Sequence, residues 1–247
     1  MDLSEYRSSE KEKLRVADLL KLIPEHTETA LDVGARDGFL SKLIVETVAE
    51  VTALDLIQPV IEDERIHCVK GDITALEFKD NSFDLVFCAE VPEHIPTNTL
   101  HQACDEPIRV ASKHILVGVP YKQDIRRGRT TCAACGGKKP PWGHVNKFYE
   151  KSLAALFSPC SINKISYAGT AELGTNFVAS ALMDVAGNPF GTYSQEEPCI
   201  YCGVDLIPPQ NRTMLSRLFS KAGFYAQKIR LPSQPDHANW IHILFST

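Results

Sequence analysis

The sequence predicts an α/β protein on a doubly wound, largely parallel sheet of seven strands, a Rossmann-like architecture with an insertion near its end. Three observations carry that prediction. Short apolar runs alternate with stretches of helical periodicity from residue 11 to residue 168. Residues Thr29 to Leu40, TALDVGARDGFL, read as strand, glycine turn and helix. Acids stand at the ends of successive apolar runs, at Asp32, Asp55 and Asp72. Parallel strands need long crossovers, usually helical, so strand–helix alternation selects this class.

Each element follows from its pattern. Lys11 to Ile23 places Val16, Leu19, Leu20 and Ile23 on one face, which makes a helix before the first strand. Phe39 to Val48 is the first crossover helix, with Leu40, Leu43, Ile44 and Val48 toward the sheet. Val51–Leu56, Ile66–Val69 and Phe83–Ala89 are the next three strands. Thr99 to Val110 is helical, and Pro107, which lacks an amide donor, is expected to disturb its end. His114–Val119 is the fifth strand, Lys147–Phe157 a helix, Ile162–Ala168 the sixth strand and Trp240–Phe245 the seventh. The interval between the last two is far too long for a hairpin, so it holds inserted structure. Within it Met214 to Ala222 reads as a helix closed by Gly223, after a break at Pro208-Pro209. The expected domains are a core of 1–168 and 236–247, a loop at 121–146 and an insertion at 169–235.

The glycine turn is where a ligand is expected. Gly34 and Gly38 allow close approach to the backbone, and the helix start behind them offers open N–H groups. A dinucleotide, a phosphate or an S-adenosyl group would each fit such a turn. Asp55 lies 17 residues past Gly38, where a carboxylate at the end of the second strand accepts from both ribose hydroxyls. Asp72 can accept from an adenine amino group with Ile73 under the ring, and it can also cap a turn that starts there.

In series, LDVGARDGFL, TALDL, KGDITALEF, FDLVFCAEVPEHIP and HILVGVP resemble the class I S-adenosylmethionine-dependent methyltransferases, in particular the small-molecule group called type 11, over about residues 28 to 120. The resemblance implies a cofactor site of Asp32, Gly34, Gly38, Asp55, Leu56, Asp72, Ile73 and Glu90, and a last strand antiparallel to the sixth. One position departs from the pattern: Arg36 stands where the family's middle glycine is expected. A dehydrogenase fits less well, because the G-x-G-x-x-G spacing is absent. Glu90-x-x-Glu93-His94 also resembles the E-x-x-E-H of quinone-biosynthesis and small-RNA O-methyltransferases, where such side chains can hold Mg2+ or Mn2+. Glu93 and His94 are therefore the candidate catalytic pair; the plainer alternative has Glu90 lining the pocket and His94 packing.

Four of the eight cysteines form two knuckles, Cys132-Ala-Ala-Cys135-Gly and Cys199-Ile-Tyr-Cys202-Gly. Each presents two thiolates on a turn that the glycine closes, and four thiolates suit a structural, tetrahedral Zn2+ with no open position. The pairs are 63 residues apart, so they are expected to clip the insertion to the segment after the fifth strand rather than to form a separate finger. Cys68, Cys88, Cys104 and Cys160 read as small buried residues.

A net charge of −5 argues against broad nucleic-acid binding. The charged N-terminus MDLSEYRSSEKEK has no signal core, and no run is long enough to span a membrane, so a cytoplasmic protein without membrane partners is expected. Around the first knuckle, Lys122, Arg126, Arg127, Arg129, Lys138 and Lys139 read as a solvated loop or as an anion site, and Trp142 and Tyr149 as core packing or base-stacking platforms. The function expected is methyl transfer to a small-molecule or sugar-like acceptor. The alternatives are RNA or protein as acceptor, or a noncatalytic S-adenosylmethionine-binding zinc scaffold.

Overall fold

A computed structural model describes residues 4–171, 174–195, 198–229 and 237–247. Two short elements open the chain, α1 (Ser4–Ser8) and α2 (Glu10–Leu20), and the Ser9 hydroxyl caps α2 by accepting from the Glu12 N–H at 3.2 Å. The sheet then builds as β1 (Thr29–Val33), α3 (Phe39–Ile44), β2 (Glu50–Asp55), β3 (Ile66–Lys70), β4 (Phe83–Ala89), α4 (Leu100–Val110) and β5 (Ala111–Pro120). Two-residue strands β6 (Thr130–Thr131) and β7 (Lys138–Lys139) form a separate hairpin. After them come α5 (Glu150–Leu156), β8 (Ser161–Ala168), α6 (Phe177–Val185), α7 (Met214–Gln227) and β9 (Trp240–Ser246).

The main sheet has the order β3-β2-β1-β4-β5-β9-β8. The first five strands pair in parallel, and β9 runs antiparallel to both β5 and β8. Alternate residues of each central strand feed two apolar layers, as a period of two requires. Leu31, Val33, Val86, Ile115 and Val117 meet Leu100 and Cys104 of α4, Leu153 of α5 and the C-cap Phe157 on one face. Ala30, Leu85, Phe87 and Leu116 meet Leu19 and Ile44 of α2 and α3 on the other. Both faces are covered, which is why β1, β4 and β5 read as nearly continuous apolar runs.

The helix ends differ from the sequence expectation for local reasons. α3 stops at Ile44, because the amide and hydroxyl of Thr47 both donate to its carbonyl, at 2.9 and 3.1 Å. α5 starts only at Glu150, because Phe148 bridges Tyr121 and its carbonyl accepts from the Lys122 N–H at 2.9 Å, which holds it extended. Pro107 lies inside α4 without ending it; the lost amide falls in the last turn, and the Pro107 carbonyl still accepts from Ala111. Cys88 and Cys104 are buried, whereas Cys68 and Cys160 are half-buried.

Contacts divide the chain into two compact units. One holds Asp2–Lys122, Phe148–Thr170 and Ala238–Thr247, and carries the main sheet. The other holds Gln123–Lys147 and Ala171–His237, and carries the hairpin, α6, α7 and all four knuckle cysteines. The expected boundary at 235/236 lies outside the described residues. Helix α6 was not legible in the sequence; Asn176 caps it by accepting from the Ala179 N–H at 2.8 Å. Gly223 does not close α7 but lies within it. A Cβ there would stand 3.2 Å from the Ala179 carbonyl oxygen and 3.3 Å from the Leu182 Cβ, so the missing side chain lets α7 lie against α6. Gly223→Leu should therefore lower the urea midpoint by the equivalent of about 1–3 kcal/mol. An unchanged midpoint would remove Gly223 as the packing determinant.

Candidate cofactor site and cysteine cluster

Three non-glycine residues with left-handed backbone follow the carboxyl ends of three neighbouring strands. Arg36 (φ 53°) follows β1, Glu90 (φ 58°) follows β4 and Lys122 (φ 52°) follows β5. Such backbone costs energy and gathers where the surroundings enforce it. Here it marks the strand-end edge at the point where β1 passes to β4, the place at which open α/β sheets bind ligands.

The turn after β1 is held from β2. The N–H groups of Gly34 and Ala35 both donate to the Leu54 carbonyl, at 2.8 and 3.0 Å. The Arg36 N–H donates to the Asp55 carboxylate at 2.9 Å. Arg36 thus adopts the backbone conformation that a glycine would supply, and the departure from the family pattern leaves the turn itself intact. Gly34 and Gly38 both have φ 78°. A Cβ on Gly34 would lie 2.3 Å from Val91 Cγ2 and one on Gly38 2.2 Å from Ile61 Cδ1, so a side chain at either position would displace its neighbour and strain the left-handed backbone.

The sequence-predicted acids have distinct settings. Asp32 is buried and accepts from the Ser41 hydroxyl at 2.5 Å. Burial pushes its pKa up to about 7, against the Ser41 hydrogen bond and with a smaller contribution from Asp55. Asp72 is exposed, and its Oδ1 accepts from both the amide and the hydroxyl of Thr74 at 2.8 Å. Ile73 is buried in the core, while Leu56 is exposed.

The loop after β4 holds the most unusual electrostatics. Glu93 is fully buried, and neither of its carboxylate oxygens has a hydrogen-bond partner among the described residues. Burial, then the charge of Glu90, push its pKa well above the usual carboxylate range. Glu90 is raised too, first by burial and against the nearby Arg15. His94, next to Glu93 in the short 3-10 turn Pro92–His94, is exposed, and a ring nitrogen lies within 4.8 Å of a Glu93 oxygen; the Glu90 carboxylate does not join that pair.

Sequence reasoning missed the residue that faces Glu90. Arg15 of α2 is buried, and Glu12 grips it through Nε at 2.7 Å and Nη2 at 2.5 Å. Among the described residues its Nη1 has no hydrogen-bond partner; it stands 4.0 Å from Glu90 Oε1, which also has none there. The guanidinium lies over the Trp240 ring, 5.7 Å from its centroid. A signal was present: Glu12 and Arg15 fall on the same helical face as Val16 and Leu19, where charge is out of place unless paired.

The two knuckles converge. Cys132 and Cys135 lie in the loop between β6 and β7, and the sulfurs of all four cysteines fall within 4.8 Å of one another. Cys132–Cys202 is 3.6 Å and Cys135–Cys199 is 3.7 Å. A tetrahedral ion about 2.3 Å from each sulfur requires sulfurs about 3.8 Å apart. The turns match one another: Gly136 and Gly203 have φ 71° and 70°, and their N–H groups donate to the carbonyls of Cys132 and Cys199. The Cys135 N–H leads in lowering the Cys132 thiol to about 7. At Cys202 the Val204 N–H pulls the thiol down, but neighbouring cysteines and burial outweigh it and hold the thiol at about 12. Four thiolates this close repel unless a cation lies among them, which fits a metal. Trp142 and Tyr149, expected as core packing, are both exposed. Lys139, expected in the loop's basic cluster, is fully buried.

Comparison with known proteins agrees with this fold. Residues 31–114 match the family model described as a methyltransferase domain. The chain is 29% identical over 110 residues to a ubiquinone biosynthesis O-methyltransferase of Idiomarina loihiensis, covering 38% of this chain and 45% of that one. To the protein of the same name in Xanthomonas oryzae it is 33% identical over 97 residues, covering 35% and 41%. The chain thus spans under half the length of the curated relatives it matches. The solved N-methyltransferase NodS of Bradyrhizobium japonicum, bound to S-adenosylhomocysteine, superposes with a TM-score of 0.57 at 12% identity, over 99% of this chain and 91% of that one.

The Asp32 carboxyl has a stability consequence. Folded, it keeps its proton up to about pH 7, whereas an unfolded aspartate loses it near about 4. Between those values the folded state binds more protons, so this group lowers stability as pH rises. Asp32→Asn, which can still accept from Ser41, should leave stability nearly unchanged at pH 4 and raise it by a few kcal/mol at pH 8, read by denaturant unfolding. Equal effects at both pH values would refute the shift.

Proposed function

Because residues 31–114 match the methyltransferase-domain family model and the sheet has the class I methyltransferase fold, we propose that this protein transfers a methyl group from S-adenosylmethionine to a small-molecule acceptor. The observation that carries the reading is the hydrogen-bonding capacity buried at the strand-end edge and unsatisfied among the described residues: Arg15 Nη1, Glu90 Oε1 and both oxygens of Glu93. Buried polar groups are normally paired, so partners of this kind imply a polar ligand. A zwitterionic amino-acid tail answers the two signs, with its carboxylate on Arg15 and its ammonium on Glu90. Asp55 would take the ribose hydroxyls, Asp72 and Ile73 would flank the adenine with Leu56, and Gly34 and Gly38 would let the nucleoside reach the turn that Asp32 and Ser41 brace.

When bound, S-adenosylmethionine supplies an electrophilic methyl on a sulfonium, and the transfer needs alignment more than acid–base help. An acceptor hydroxyl must still lose a proton; of the proposed pair, exposed His94 would take it, and Glu93, which burial holds in its protonated form, would accept one only after a bound cation has ionised it. A Mg2+ or Mn2+ ion would satisfy Glu93 and His94 and make such a hydroxyl more acidic. The O-methyltransferase relatives support a small hydroxylated acceptor. No helix among the described residues is long and apolar enough to cross a membrane. Calorimetric titration with S-adenosylmethionine and S-adenosylhomocysteine should give micromolar binding, weakened at least about tenfold by Asp55→Ala. Equal affinity in wild type and variant would sink this cofactor site, and no binding by folded protein would sink the enzyme reading.

We also propose that Cys132, Cys135, Cys199 and Cys202 hold a structural Zn2+ that fastens the segment after β5 to the insertion. Four thiolates leave no open position, so the ion would have no part in the chemistry. Protein purified without chelator should contain one zinc per chain, and Cys199→Ser should lose most of it and lower the thermal midpoint of unfolding. Unchanged zinc content in the variant would refute the site.

A further inference from the structure

The cysteine-bearing unit carries a half-open cavity of about 580 Å³. That volume suits a small organic ligand. Its wall has two characters. Met183, Phe190 and Phe224 form an apolar part, and Arg126, Arg127, Arg129 and Lys228 form a cationic part. The described residues that line it include no carboxylate.

The cationic part is built, where the sequence suggested a solvated loop. Asp124 grips Arg126 through Nε and Nη2, each at 2.8 Å, and the same Nη2 donates to the Thr175 carbonyl at 2.8 Å. The Thr175 N–H closes the ring by donating to Asp124 at 2.8 Å. Asp184 pairs with Arg129 Nη1 at 3.1 Å and with Lys138 at 3.2 Å. Behind the arginines, the amide and hydroxyl of Thr192 both donate to the Gly128 carbonyl, at 2.9 and 2.8 Å. Gly191 packs so closely that a Cβ there would lie 2.1 Å from the Arg129 carbonyl oxygen. The loop is thus fixed without a ligand, which lowers the ordering cost of binding one.

The two carboxylates use only part of each guanidinium. Arg126 Nη1 and Arg129 Nε and Nη2 make no hydrogen bond among the described residues. Lys228 Nζ rides over the rings of Phe224 and Tyr225, at 4.9 and 5.7 Å, with no carboxylate partner among the described residues. Guanidinium forks match the oxygens of a carboxylate or phosphate, and aromatic walls accept a flat apolar body.

We propose that this cavity binds a small oxyanion carried on a flat apolar body, such as an aryl phosphate or aryl carboxylate. The oxyanion would meet the arginines and Lys228, and the body would lie against Phe190 and Phe224. All the described lining residues belong to the cysteine-bearing unit, so the proposal does not rest on the methyl-transfer reading.

The test is calorimetric titration of the full chain with naphthyl phosphate, naphthoate, naphthol and inorganic phosphate. One or both naphthyl anions should bind, with naphthol and inorganic phosphate each at least about tenfold weaker, and the better anion identifies the oxyanion. Lys228→Gln should weaken the naphthyl anions about three- to tenfold and leave naphthol unchanged, whereas Phe190→Ala should weaken all naphthyl ligands. Both residues are exposed, and thermal melts would verify that both variants fold. The proposal is overturned if no naphthyl anion binds, if inorganic phosphate binds as well as naphthyl phosphate, or if neither substitution changes any affinity. Displacement of naphthyl phosphate by single-stranded RNA at lower concentration than by naphthoate would also overturn it, assigning the wall to nucleic acid.

Discussion

The parallel pairing of β1 with β2 on one side and β4 on the other is the constraint on which the rest depends. Parallel register brings the carboxyl ends of the three strands to one edge, with Asp32 opposite Ala53 and Phe87. That edge gathers residues distant in sequence. The Leu54 carbonyl organises the turn after β1, Asp55 fixes the backbone of Arg36, and the loop after β4 brings Glu90 and Glu93 to the same side. Without the pairing each of these would be an ordinary loop residue.

Within this frame the polar groups divide by whether their needs are met internally. Glu12 with Arg15, and Asp32 with Ser41, are satisfied by neighbours the fold supplies. Among the described residues, Glu93 and one nitrogen of Arg15 find no such partner. A fold that buries such groups without partners carries a cost that a ligand can relieve, which ties affinity at this edge to the stability of the protein that binds there.

The sheet was legible in the sequence because its central strands are covered on both faces and read as apolar runs; β4 falls on Phe83–Ala89 as the pattern indicates. The knuckles were legible because their spacing is a local signature, although only the fold brings Cys132 to 3.6 Å from Cys202. What was lost needed tertiary information. Phe148 has a helical neighbourhood in sequence but is held extended by Tyr121 and Lys122, and Gly223 looks like a stop when it is a contact surface for α6. Arg15 is one charge among many in a charged helix, and only its burial beside Glu90 distinguishes it.

The interval between the knuckles bears on how the chain is made. A ribosome delivers Cys132 and Cys135 first, then 63 residues that include α5, β8 and α6, and only afterwards Cys199 and Cys202. A pair of thiolates is half a coordination sphere, so through that interval the first knuckle is a weak, exposed ligand open to oxidation or to competing metals. The four-thiolate cluster is therefore complete only after the insertion as far as Cys202 has been made.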